Sequence, residues 1–143
     1  MLKNINPLLS GELLTTIDSM KPGEWLTLVG RTYSERSADS AIVDMGEATM
    51  EAAAIAILSI MPLGKGEESP IVFLDASAEE GELPDVAFAV RGIAADAELR
   101  RVTMACLEPD AFAGLAEHSK LTVVAGDDTS STAFLLQKGA LLA

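Results

Sequence analysis

Apolar residues recur along the chain in two alternating ways, as short continuous runs and as segments with a three-to-four-residue period. Leu13, Leu14 and Ile17 share helical spacing, with Thr15, Asp18 and Ser19 facing elsewhere, which predicts a helix capped by Ser10 and running to about Met20. Lys21, Pro22 and Gly23 close it. Residues 25–29 (WLTLV) form a β-prone run ended by Gly30, and the polar stretch RTYSERSADS that follows keeps neither period and reads as a loop. Residues 41–43 are a brief strand candidate. Thr49 then opens the apolar helix MEAAAIAILSIM, ended by Pro62 and a turn cluster at 64–70.

In the second half, residues 71–74 (IVFL) have the unbroken apolar character of a strand covered on both faces. Pro84 is expected in the first turn of a helix reaching about Glu98, where a missing N–H costs nothing. Residues 101–107 read as a strand, and Pro109 opens the helix DAFAGLAEH with Phe112, Leu115 and Ala116 on one side. The strand LTVVA (121–125) is followed by a polar loop, a last β-prone stretch at 133–136 and a turn at Gly139. Strands alternating with helices predict an α/β fold in one domain, residues 1–143, with WLTLV, IVFL and LTVVA as central strands.

Composition narrows the function. At 143 residues and 49% hydrophobic, the chain can bury a core without disulfides or a structural metal. Ten basic against 22 acidic side chains give a net charge of −12, which removes the attraction to phosphate backbones that a nucleic-acid partner requires and gives no pull toward anionic lipid. One cysteine, Cys106, and one histidine, His118, cannot make an internal disulfide or a closed zinc site, and a reducing cytoplasm fits them best. No apolar run is long enough to span a bilayer, and the start MLKNINPLLSGE lacks a continuous signal-peptide core. Twenty-two alanines against six aromatics predict thin helices and a small core per subunit, a composition suited to burial among copies of the same chain.

Met1-Leu2-Lys3, Ile5, Pro7-Leu8-Leu9, Glu12-Leu13-Leu14, Met20 and Gly23 together resemble the opening of the ribose pyranase and fucose mutarotase family (RbsD/FucU). Ile71-Val72, Phe112, Gly126 after LTVVA, Leu135-Leu136 and Lys138-Gly139 extend the resemblance over essentially the whole chain. It implies a three-layer α/β/α subunit with a mixed sheet, built into a ring-shaped homo-oligomer of at least eight copies, often a decamer, with sugar sites between subunits. It further implies interconversion of the ring forms or anomers of a free monosaccharide, such as ribose or fucose, without a cofactor. In that chemistry one group protonates the ring oxygen while another takes the anomeric hydroxyl proton. Several positions depart from the family. Its histidine after the first helix aligns with Pro22, its aspartate after the first strand with Gly30, and a second histidine with Thr32. The tyrosine and asparagine before its last strand align with Ser131 and Ala133.

The candidate substrate-binding residues are Lys21, Arg31, Tyr33 and Arg36, placed by the resemblance around the exit of the first strand, with Asp128 and Ser131 after LTVVA. The arginines would donate to hydroxyl or carboxylate oxygens, and Tyr33 would offer an aromatic face to a sugar ring. A solvated loop is the plainer reading of the first group. The acceptor-rich run Asp127, Asp128, Thr129, Ser130, Ser131 follows a strand, where α/β proteins bind polyols, although a polar turn would read the same. His118 is expected on the surface at a helix end, Cys106 as a small buried residue in a strand, and Asp44 with Glu51 as a conceivable carboxylate pair. Neither catalytic residues nor a metal site are assigned. The reading is a monosaccharide-binding protein of the fucose mutarotase and ribose pyranase type. The alternative is a catalytically inactive descendant serving as a ligand-binding or assembly module in sugar uptake or catabolism.

Overall fold

The computed structural model describes residues 3–31, 33, 41–66, 68–74, 85–126 and 132–140. Among these residues, six strands and four helices follow the order α1 (Gly11–Ser19), β1 (Trp25–Gly30), β2 (Ala41–Asp44), α2 (Met50–Leu58), β3 (Ile71–Leu74), α3 (Asp85–Glu98), β4 (Met104–Leu107), α4 (Pro109–Ala116), β5 (Leu121–Ala125) and β6 (Ala133–Gln137). The expected caps are in place. Ser10 Oγ accepts from Leu13 N at 3.2 Å, and Thr49 Oγ1 accepts from Ala52 N at 3.1 Å, satisfying first-turn amides that would otherwise lack partners.

The strands make one sheet in the order β2-β5-β1-β6-β3-β4. Pairing is parallel between β1 and β5, β2 and β5, and β3 and β4, whereas β6 runs antiparallel between β1 and β3. The sheet is therefore mixed, as expected, but its centre differs from the sequence reading. The stretch at 133–136, read only as β-prone, lies with β1 at the middle, and IVFL and LTVVA are interior strands, each one strand from an edge. β4 is also shorter than 101–107, because its partner β3 begins only at Ile71, after Pro70, and the first pair is Ile71 with Met104.

Alternation along the buried strands sorts the core into two layers. Leu26, Leu28, Phe73, Val123, Phe134 and Leu136 pack on one face with residues of α1, α2 and α3, including Leu13, Ile17, Ile57 and Val90. Trp25, Val29, Val72, Leu74, Val124 and Leu135 pack on the other with Phe112 and Ala116 of α4. The result is a three-layer α/β/α subunit. Cys106 corrects one expectation. It lies in a strand, but β4 is the sheet edge, and the cysteine is exposed. Pro84, expected to start α3, lies outside the described residues.

Leu99, just past α3, has φ of +55° and is 91% exposed, so it takes a left-handed backbone with no packing in return. Glycine is the residue suited to that position. Leu99→Gly is expected to raise stability by about 0.5 to 1 kcal/mol, the left-handed penalty less the extra chain entropy of glycine. A urea midpoint that falls at constant slope would contradict this.

Candidate functional site

Most of the candidates flank β1 in the sequence, and its two ends are different places. At its carboxyl end, Gly30 N donates to Thr132 O at 2.7 Å, and Gly126, at the end of β5, donates to Ala48 O at 2.7 Å. The last residues of β1, β2 and β5 thus lie side by side, at the edge of the parallel strands where α/β folds gather ligands. Arg31 and Asp44 meet there. Arg31 donates from Nη1 to Asp44 Oδ2 at 2.9 Å and from Nη2 to Asp44 Oδ1 at 2.7 Å, and Nη2 also donates to Gly46 O. Asp44 Oδ1 accepts in addition from Gly46 N at 2.7 Å. The bidentate fork locks the end of β1 to the turn after β2, a fixed geometry that neither side chain would keep alone.

Tyr33 is not a platform for a ligand. Its ring is buried, edge-on to Phe112 at 6.0 Å between centroids and 81° between planes, within the core layer under α4. Lys21 is not near Arg31 either. It is exposed before β1, at the opposite end of a six-residue strand, about 17 Å away by strand rise. Of the expected first-strand cluster, only Arg31 and Tyr33 share an end of the sheet, while Arg36, like Asp128 and Ser131, lies outside the described residues. Asp44 is engaged with Arg31, and Glu51 sits in the first turn of α2. His118 is exposed just beyond α4, as expected of a surface residue.

At the other end of β1, two features were not visible in the sequence. Lys138, following β6, donates from Nζ to Ile17 O at 2.6 Å, Met20 O at 2.7 Å and Asp18 O at 3.3 Å. One ammonium thereby serves three carbonyls at the C-terminus of α1, where the helix dipole is negative. It borders a cavity of about 530 Å³ lined also by Thr15, Asp18, Ile60 and Pro62. Since its three N–H bonds already have acceptors, Lys138 is a fastener rather than a ligand donor. A second cavity, of about 390 Å³, lies beside Glu24, Trp25, Glu117, His118 and Lys120. Glu24 Oε1 accepts from Lys21 N at 2.6 Å, and this bond, helped by Lys120, holds its carboxyl below the ordinary range against a desolvation effect that raises it. Among the described residues, no three His, Cys, Asp or Glu side chains converge as a metal site, and no helix is long and apolar enough to cross a membrane.

The order of elements and the mixed sheet agree with one protein family. The model of the RbsD / FucU transport protein family matches residues 3–141. The chain belongs to that family. Solved structures share its fold. The chain is similar to protein Atu2016, described as a candidate sugar binding protein, at 23% identity and a TM-score of 0.90, with 99% of this chain and 97% of that one covered. It is also similar to the fucose mutarotase of Streptococcus pneumoniae in complex with L-fucose, at 22% identity and 0.85, covering 99% and 100%. Bacillus subtilis RbsD complexed with D-ribose follows at 13% and 0.74, covering 99% and 100%. Among curated proteins, none matches the chain significantly. Within the RbsD/FucU family, this member carries proline and glycine at 22 and 30, and neither side chain can move a proton.

Proposed function

We propose that the chain is a monosaccharide-binding protein of the fucose mutarotase and ribose pyranase type, acting on or binding a free, unmodified aldose or deoxy sugar in the cytoplasm. The family match over residues 3–141 carries this reading. The fucose- and ribose-bound structures of the same fold support the ligand class. The sugar is placed at the carboxyl ends of β1, β2 and β5, beside the Arg31–Asp44 fork. Arg36 follows β1 in the chain, and Asp128 and Ser131 follow β5, so all three are assigned to the same site. Lys21, at the far end of β1, joins such a site only from a neighbouring copy, which accords with a ring-shaped homo-oligomer of eight or more subunits, a decamer being the family's common form. Alanine-rich α2, hydrophobic on nearly every side with Ile55 half exposed, is a face suited to that assembly.

Saturation-transfer NMR on a panel of free aldoses and deoxy sugars tests this reading, with the mass of the sample checked by light scattering. A saturable response to at least one sugar is expected from a particle of at least eight 15.0 kDa subunits. Exchange between anomers is expected to stay within about tenfold of buffer, because positioned acid and base groups normally supply about 10² to 10⁴ in rate and positions 22 and 30 offer none. No response to any sugar in the panel would sink the proposal.

A further inference from the structure

The larger cavity, of about 530 Å³, lies between α1 and the chain that leaves α2. One short segment holds both of its walls. Lys138 fastens the end of α1 through its ammonium, while it also pairs with Leu63 as an isolated β-bridge, and its neighbour Gly139 donates from N to Pro62 O at 2.8 Å. The last turn of α1 and residues 62–63 are thereby kept at a set separation, and the space between them is formed before any ligand enters it. Its lining changes character with exposure. Ile17 is buried and Leu14, Ile60 and Pro62 are partly so, whereas Thr15 and Asp18 are exposed. Three residues apart on α1, Thr15 and Asp18 are neighbours on the helix surface and form a polar mouth to an apolar interior.

That arrangement selects by charge. Lys138 commits its three N–H bonds to carbonyl oxygens and has none left for an anion. The Asp18 carboxylate and the Thr15 hydroxyl have no hydrogen-bond partner among the described residues, and the last turn of α1, where the helix dipole is negative, carries no basic side chain of its own. A phosphate or carboxylate would be repelled here, and a sugar would leave most of its hydroxyls unpaired against the apolar walls. A cation with an aliphatic body answers both demands. We propose that this cavity binds a small aliphatic primary amine, its ammonium donating to Asp18 and Thr15 at the mouth and its hydrocarbon chain lying against Leu14, Ile17, Ile60 and Pro62. The volume is within the range of small-molecule sites. Nothing in this assignment depends on the sugar placed beside the Arg31–Asp44 fork.

Amide NMR on the full chain tests this directly. Titration with n-hexylamine hydrochloride at neutral pH is expected to move the Thr15, Asp18 and Ile60 signals saturably, while hexanoate and L-fucose are expected to move none of the three. n-Butylamine should bind at least about tenfold more weakly, since each methylene taken out of water contributes about fourfold. Asp18→Asn should raise the Kd for hexylamine about threefold to tenfold, the effect of losing a charge-assisted bond at a partly solvated position. Asp96→Asn, which removes an exposed acid on α3, should leave it within about twofold. Silence of the three signals up to about 100 mM, two decades above a Kd of about 1 mM, would overturn the proposal. So would an equal response to hexanoate or L-fucose, or equal effects of the two variants, which would assign the response to general attraction toward a chain of net charge −12.

Discussion

Phe112→Ala is expected to cost about 3 to 5 kcal/mol, enough to consume a large part of the stability of a domain this size. Phe112 is fully buried, and α4 is the only helix among the described residues that packs on the Trp25, Val72 and Leu135 side of the sheet. Removing the ring leaves a void that a short, eight-residue helix can fill only by moving, and it takes away the edge contact with Tyr33. Tyr33 lies three residues past β1, so the damage should reach the Arg31–Asp44 fork as well. Urea unfolding measures the loss, and Phe112→Leu, which keeps most of the volume, should recover more than half of it. A cost below about 1 kcal/mol for the alanine variant would show that this face is loosely packed.

Gly139→Ala should cost about 1 to 3 kcal/mol, the usual penalty of forcing atoms into filled space. A Cβ at position 139 would lie 2.6 Å from Leu63 C and 2.9 Å from Gly64 N, and closer still to the Leu63 carbonyl oxygen. These are backbone atoms and cannot rotate away. Gly139 N also donates to Pro62 O at 2.8 Å, so the two segments cannot simply separate. Gly66 is the matched control: open space surrounds it, and Gly66→Ala should stay within about 0.5 kcal/mol of the parent. Equal midpoints for the two variants would refute the argument.

What the sequence revealed was what neighbouring residues decide. The caps at Ser10 and Thr49, the helix opened by Pro109 and the strands WLTLV, IVFL and LTVVA all depend on short-range periodicity and termination, and all were found in place. Strand order is set by contacts between distant segments, so the central position of β6 had no local sign. The same blindness explains Cys106, whose apolar surroundings in sequence are identical for a central and an edge strand. The site suffered most. Arg31 was legible as a polar group after a strand, but its partner Asp44 stands thirteen residues on, at the end of another strand. Tyr33 sits in a polar stretch, yet turns its ring inward to Phe112. Glu24 and Trp25 meet Glu117, His118 and Lys120 only through the parallel pairing of β1 with β5.

The antiparallel strand at the centre also sets a timetable. Among the described residues, β2, β5 and β1 form one parallel group and β3 with β4 another, and within the sheet β6 alone is hydrogen-bonded to both. Residues 133–137 follow all the other described strands in sequence, so until β6 pairs, the two groups are incomplete sub-sheets, each with an unpaired edge. Unpaired edges recruit other chains, and pairings of such long sequence separation form slowly. Chains in which β6 has not yet paired are thus the ones most exposed to aggregation.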